Sequence, residues 1–333
     1  MRIGVDAMGG DFAPREIIRG VQLGLRFISP DDQIVLFGPR EVVEGECRAV
    51  GLSDPRIAVV DAPEVVAMDD SPVDALRQKR RSSIVVMAVA AAEGQVDAVI
   101  SAGNTGAFAA ACQLKIGARE GVSRPGIAVA LPTFRGPVLI CDVGANVTPK
   151  PHHLHEYARL CVCYSRLILK VKEPRVGLIS IGEEAGKGSV LVKETGRLLE
   201  QDPAVPFVGN VEGRDLFAGG CDVAVCDGFV GNVILKLTEG LAEGLFKTIV
   251  QEIKAESAEL VPRFEPIADR IWKRHDFAEY GGAPLLGLKR VAIICHGRSD
   301  GRAISNAIRV AVEQVRHDLM GVVAEAMKQE VPA

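Results

Sequence analysis

The chain has 333 residues, 48% hydrophobic and 25% charged, so it can bury a full core and is not a disordered protein. A net charge of −4 and an aromatic content of 5% argue against a dedicated nucleic-acid binder, which needs basic surface and stacking platforms. The eight cysteines form no CxxC pair, and several sit inside apolar runs, as do Cys141 and Cys295, so they read as buried reduced thiols.

The first predicted strand, Arg2-Ile3-Gly4-Val5-Asp6, starts at once, with no basic stretch and hydrophobic signal core before it. No apolar run approaches the roughly 18 residues of a transmembrane helix, so a cytoplasmic protein is expected. Met8-Gly9-Gly10-Asp11-Phe12-Ala13-Pro14 ends that strand and opens a helix over 14–27, with Pro14 at its first turn. Strands follow at 34–37 and 57–60, a helix at 83–93 and a strand at 98–101. Ser101-Ala102-Gly103-Asn104-Thr105-Gly106 then offers Asn104 or Thr105 as a helix cap. Strands at 127–131 and 138–142 lead to Asp142-Val143-Gly144-Ala145-Asn146, followed by a helix over 152–171. A strand at 176–181 runs into Gly182-Glu183-Glu184-Ala185-Gly186-Lys187-Gly188. A short one at 207–208 ends in Gly209-Asn210, and one at 223–226 ends in Asp227-Gly228-Phe229-Val230-Gly231-Asn232. The last, 291–295, ends in His296-Gly297-Arg298-Ser299-Asp300. Strands alternating with amphipathic helices predict βαβ units and a mostly parallel sheet.

The strand-end loops are the chemistry-bearing feature. In a parallel sheet they gather at the carboxyl edge, where such folds bind ligands. Glycine lets a backbone approach a ligand closely, and helix amino ends offer free N–H groups to anions. The pattern predicts a pocket for something small, oxygen-rich and negative. Lys187 is its candidate phosphate-binding charge. His296, at a strand-loop-helix junction, is a candidate catalytic or orienting group, and Asp300 is the expected cap of the last helix.

Other motifs are excluded. GxGxxG does not occur, so a dinucleotide fingerprint is absent. The 182–188 loop is too short for a Walker A motif, and Gly188 stands where Ser or Thr would hold magnesium. His152, His153 and His155 bunch at a helix start, where they cannot all reach one ion, so no metal site is expected. No G-x-S-x-G elbow and no cysteine nucleophile signature is present. If acyl groups are transferred, the acceptor attacks directly.

Residues 241–272 carry no strand signal. Leu241, Leu245, Ile249 and Ile253 form one apolar stripe; Leu260, Phe264, Ile267 and Ile271 form another. Pro262 and Pro266 predict an irregular join between two helices. The stripes suit a dimer or packing surface. Lys247, Lys254, Arg263, Arg270, Lys273 and Arg274 add the option of a membrane or acidic partner.

Taken in order, these motifs resemble the acyl carrier protein:phosphate acyltransferase (PlsX) family of bacterial phospholipid synthesis. The blocks are Val5–Asp11, Ser101–Gly106, Asp142–Asn146, Gly182-Glu183-Glu184 with Lys187-Gly188, Gly209–Asp215, Cys226–Phe229 with Gly231-Asn232, Glu279–Gly287, and His296-Gly297 with Ser299-Asp300. The resemblance spans essentially the whole chain. It implies one acyltransferase domain over 1–333, a three-layer α/β/α sandwich akin to phosphotransacetylases and isopropylmalate-type dehydrogenases, with a protruding helical pair at 241–272. It implies transfer of a long acyl chain from acyl carrier protein (ACP) to inorganic phosphate, without metal or nicotinamide. A membrane glycerol-3-phosphate acyltransferase would consume the acyl phosphate. A homodimer with peripheral membrane contact is expected, with Leu260, Val261 and Phe264 at the membrane. Lys187, Asn232 and His296 are the catalytic candidates. Asp6, Gly9, Gly10, Asp11, Asn104, Thr105, Asp142, Asn146, Asn210, Asp227, Ser299 and Asp300 are the substrate- and phosphate-binding candidates.

Overall fold

A computed structural model describes residues 1–274 and 277–328, without the side chains of residues 258, 269, 272–274 and 277–278. The basic side chains expected at 273 and 274 therefore lie outside what is described. Eleven strands form one sheet: β1 (Arg2–Asp6), β2 (Gln33–Gly38), β3 (Ile57–Asp61), β4 (Ala98–Ser101), β5 (Gly126–Leu131), β6 (Val138–Cys141), β7 (Val176–Ile179), β8 (Phe207–Val211), β9 (Val223–Val225), β10 (Ala283–Leu286) and β11 (Val291–Ile294). Their order is β3-β2-β1-β4-β11-β10-β5-β6-β9-β7-β8.

The sheet is mostly parallel, as expected, but its two halves run in opposite directions. β3, β2, β1, β4 and β11 are mutually parallel, as are β6, β9, β7 and β8. β10 and β5 join them through antiparallel pairings. The strand-end loops of the two halves therefore leave opposite edges of the sheet, which corrects the expectation of one shared carboxyl edge. β10 was not foreseen. Its Ala-Pro-Leu-Leu run is short and carries a proline, which weakens any strand signal.

Apolar residues alternate between the two faces with period two. Val35, Phe37, Val99, Ala292 and Ile294 point to one core, which continues across the second half through Ile127, Val138, Ile140 and Ala224. Ile34, Leu36, Ala98, Ile100 and Ile293 point to the other face, under the Arg15–Gly24 and Gly301–Arg316 helices. There the second half has its own core, built from Leu139, Cys141 and Leu178 against the Pro151–Leu167 helix. Helices thus cover both faces of one sheet, a three-layer α/β/α arrangement.

The expected helical excursion begins earlier than its apolar stripes. One helix runs unbroken over Gly228–Glu256, about 43 Å at 1.5 Å per residue. Only Gly228 and Gly231 are buried along it. A short turn at Ala258–Leu260 leads to a second helix, Val261–Arg274. The break falls at Ser257, not at the prolines: Pro266 lies inside the second helix. Leu237, Leu241 and Leu245 remain 68%, 67% and 59% exposed, so this stripe is unpartnered in the single chain. Among the described residues no helix is long and apolar enough to cross a membrane.

Candidate active site

The site candidates fall into three groups. The first lies where β1, β4 and β11 end. Asp6 is buried and accepts hydrogen bonds from the Ser101 hydroxyl at 2.7 Å and the Met8 amide at 3.1 Å. Burial raises its carboxyl pKa against those hydrogen bonds. The loops interlock through glycine. A Cβ at Gly9 would stand 2.6 Å from both Asp6 Oδ2 and the Gly103 amide nitrogen, and Gly10 adopts φ +104° beside the Gly297 carbonyl. The Asp11 amide donates to that carbonyl at 2.8 Å, drawing the first loop onto the His296 loop.

Asn104 caps the Thr105–Lys115 helix, accepting from the Ala107 amide at 3.0 Å. Its amide hydrogens go to the Met68 and Asp70 carbonyls at 3.1 and 2.9 Å, so the side chain pins a neighbouring loop. Thr105 is exposed at the first helical position. Asp300 caps the Gly301–Arg316 helix through the Ala303 amide, as expected, and the Ser299 amide donates to the His296 carbonyl.

The second group lies where β6 and β9 end. The buried Asp142 carboxylate accepts from the Ile127, Gly144, Ala145 and Asn146 amides. Burial raises its pKa even so. Asn146 donates to the Pro125 carbonyl and the Tyr157 hydroxyl, both at 2.8 Å. Asp227 caps the long helix through the Val230 amide. The helix start presses on the Asp142 loop: a Cβ at Gly228 would meet the Asn146 carbonyl at 2.8 Å. Asn232 is exposed one turn later, beside Gly144.

Lys187 and Asn210 form the third group. Lys187 is exposed on the loop after β7, its side chain against Gly182. Asn210, on β8, donates to the Glu184 carbonyl at 2.9 Å and so braces the loop that carries the lysine. Among the described residues no hydrogen bond or ion pair joins Lys187 to Asn232 or His296.

The long helix links the first two groups, which the sequence reading did not foresee. Asn232, Lys236 and Glu239 follow one another at helical spacing, the last two ion-paired at 2.8 Å. Both act electrostatically on His296: partial enclosure lowers its pKa most, Lys236 lowers it further, and Glu239 opposes. His296 Nδ1 accepts from the Arg298 amide at 3.1 Å, which leaves Nε2 to carry the proton of the neutral ring. Lys236 lies about 6 Å along the axis from Asn232. The i, i+4, i+7 pattern was readable, but only the tertiary path of the helix shows what it faces.

The clustered histidines and the cysteines have local partners and surroundings of their own. His155 Nε2 meets Asp202 at 2.7 Å beside the Arg159 guanidinium, and His153 Nδ1 accepts from the Lys150 amide, so the histidines face different partners. Among the described residues no group of three or more His, Cys, Asp or Glu side chains could hold a metal. Burial pushes the Cys221 and Cys295 thiols up to about 12. Tip candidate Leu260 is 42% exposed, whereas Val261 and Phe264 are half-buried.

The fatty acid synthesis protein family model matches residues 1–321. A phosphate acyltransferase of Desulforamulus reducens is 46% identical over 334 residues, covering 99% of this chain and 98% of its own. A phosphotransacetylase from Streptococcus pyogenes superposes with a TM-score of 0.66 at 15% identity, over 95% of this chain and 94% of its own. A branched-chain phosphotransacylase from Enterococcus faecalis gives 0.56 at 14% identity, over 95% and 99%. At such identities the structures speak for the fold alone, and they share the α/β layering described above. The family match and the near-complete alignment to curated phosphate acyltransferases make this chain a member of the fatty acid synthesis protein (PlsX) family and an acyltransferase.

Proposed function

We propose that the chain transfers a long acyl chain from the thioester of acyl carrier protein to inorganic phosphate, giving acyl phosphate and the free carrier thiol. The observation that carries this reading is the helix starting at Asp227. It bears Asn232 beside the Asp142 loop and brings Lys236 and Glu239 within electrostatic reach of His296. The relatives' name, phosphate acyltransferase, supplies the reaction class.

Phosphate needs converging donors and charge compensation. Lys187 and Asn232 serve as those donors, with the loop amides at Gly10, Asn104 and Thr105 at helix and strand ends as further candidates; the Gly9 amide is engaged by the Asp6 carboxylate. A phosphate oxygen attacks the thioester carbon, and the carbonyl becomes an oxyanion. The Nε2–H of neutral His296 is suited to stabilise that charge. Collapse expels the carrier's thiolate and leaves the acyl–phosphate bond. No enzyme nucleophile is required, because bound phosphate is itself competent when held near the carbonyl. Asp6, Asp142 and Asp227 act by shaping the loops, since their carboxylates are occupied with protein N–H and O–H groups.

The exposed leucine stripe of the long helix suits a homodimer, and the Leu260–Phe264 turn suits peripheral membrane contact. A membrane glycerol-3-phosphate acyltransferase is the natural consumer of a labile acyl phosphate. The test is direct: purified protein, long-chain acyl-ACP and inorganic phosphate, with acyl phosphate and free carrier thiol measured. Hydrolysis to fatty acid, or transfer only to another acceptor, overturns the reading.

A further inference from the structure

A cavity of about 310 Å³ lies where β4 and β11 begin, at the edge of the sheet opposite His296. Asp97, Arg119, Lys289, Arg290, Gln314 and Asp318 bring polar groups to its wall. Two backbone hydrogen bonds fasten its floor: the Lys289 amide to the Gly117 carbonyl at 3.1 Å, and the Arg119 amide to the Gly287 carbonyl at 2.9 Å.

Two buried donors in this wall have no partner. Gln314 is 1% exposed, and its Nε2 makes no hydrogen bond. Arg119 Nε is buried and unbonded as well. An unmet buried donor carries a desolvation penalty, so such groups in a native fold call for an explanation. Two in one cavity point to an acceptor supplied from outside. Among the described residues Arg119, Lys289 and Arg290 form no ion pair, and against the carboxylates of Asp97 and Asp318 they leave the wall with an excess of positive charge. The acids are engaged differently. Asp97 accepts the Arg2 amide at 2.8 Å, and Asp318 accepts the Gly321 amide at 3.0 Å. Each keeps lone pairs for a hydroxyl.

We propose that this cavity is a second ligand site that binds a small phosphate monoester carrying hydroxyl groups. The guanidinium groups of Arg119 and Arg290 match phosphate oxygens in fork geometry, and Lys289 adds a point charge. The Gln314 amide donates to the same anion. Asp97 and Asp318 accept from the ligand's hydroxyls. The volume is at the lower end of small-molecule sites, which suits a ligand of a few carbons. The site is separate from His296: residues 291–295 stand between Arg290 and His296, roughly 20 Å of extended chain.

The test is calorimetric titration of the full chain with glycerol 3-phosphate, and separately with inorganic phosphate. The variants are Arg290→Ala, Gln314→Leu and Lys187→Ala. Glycerol 3-phosphate is expected to bind at one site, at least tenfold more weakly in Arg290→Ala and in Gln314→Leu, and unchanged in Lys187→Ala. Gln314→Leu removes an orphaned donor without emptying space, so its melting temperature should match or exceed the parent's, which separates lost binding from lost folding. Arg290→Ala should retain the parent's rate of acyl phosphate formation. Absence of binding overturns the proposal. So does binding that Lys187→Ala weakens and Arg290→Ala spares, which would place the ester in the reaction centre. Equal affinity for inorganic phosphate at this site overturns the hydroxyl-bearing part. The binding and melting readings do not depend on acyl transfer, so the two proposals fail separately.

Discussion

A Cβ placed on Gly231 would stand 2.0 Å from the carbonyl oxygen of Asp142. The long helix therefore meets the end of β6 main chain to main chain, and this contact aims Asn232 and Lys236. Gly231→Ala must push the helix away from the loop. It is expected to cost on the order of 1–3 kcal/mol by overpacking and to lower activity with it. Gly240→Ala is the control. Nothing lies within 4 Å of that position, so the change should stabilise by about 0.5–1 kcal/mol through helix propensity. Urea unfolding of both variants decides; equal midpoints would show that the contact does not constrain the helix.

Lys187→Ala should reduce acyl phosphate formation by roughly two to three decades, the usual effect of losing a charged transition-state donor. Lys187 is exposed, so the melting temperature should not move. Asn210→Ala loses only the brace to the Glu184 carbonyl and should have a smaller effect, carried mainly by KM for phosphate. Near-normal turnover in Lys187→Ala removes the lysine from the mechanism.

His296 carries a pKa below its ordinary value, chiefly through enclosure and then through Lys236. The ring is therefore held towards its neutral form, and kcat/KM should hold steady until the pH falls below the ordinary histidine range. Lys236→Ala removes a depressing charge, so the acid limb should move to higher pH; His296→Ala should abolish the limb. The same shift acts on stability. A group whose folded pKa is depressed binds its proton more readily when unfolded, so stability is lost as pH falls through the unfolded and then the folded value. An acid limb unmoved by Lys236→Ala would dissociate the long helix from His296.

No covalent acyl-enzyme should form. The Cys221 and Cys295 thiols, pushed up to about 12, are almost wholly protonated at neutral pH and poor nucleophiles. Intact-mass spectrometry after incubation with acyl-ACP, without phosphate, should show unmodified protein. An adduct on any cysteine or serine refutes direct attack.

The exposed stripe and the second helix should separate by mutation. Leu241→Asp with Leu245→Asp is expected to shift the proposed homodimer towards monomer in sedimentation. Val261→Asp with Phe264→Asp should release the protein from anionic liposomes and spare turnover on soluble acyl-ACP. If the second pair also breaks the oligomer, the turn belongs to the packing surface, in keeping with the half-buried state of both residues.

Much of the architecture was legible because local signals were strong. The run Ala98–Ser101 and the capping of Asn104 and Asp300 appear where pattern and side-chain chemistry put them. The helix break did not: Pro262 and Pro266 predict the join, yet the first turn of a helix tolerates proline, and Pro266 is carried inside the second helix. β10 was missed because its four residues earn their pairing only between β11 and β5.

The sequence by itself determined every strand but β10, the glycine-rich loops that end them and the family, since periodicity, turn chemistry and ordered motifs are properties of short segments. It could not determine strand direction across the sheet. Parallel and antiparallel neighbours present the same apolar alternation, and only the β11-β10-β5-β6 pairings reverse the second half. Nor could it tell a donor free for ligand from one already engaged. Asn104 and Asn146 look alike to Asn232 as strand-end asparagines, yet their amides are bonded to distant carbonyls while Asn232 is exposed. Those partners come from segments 34 and 21 residues away, and only folding brings them within hydrogen-bond reach.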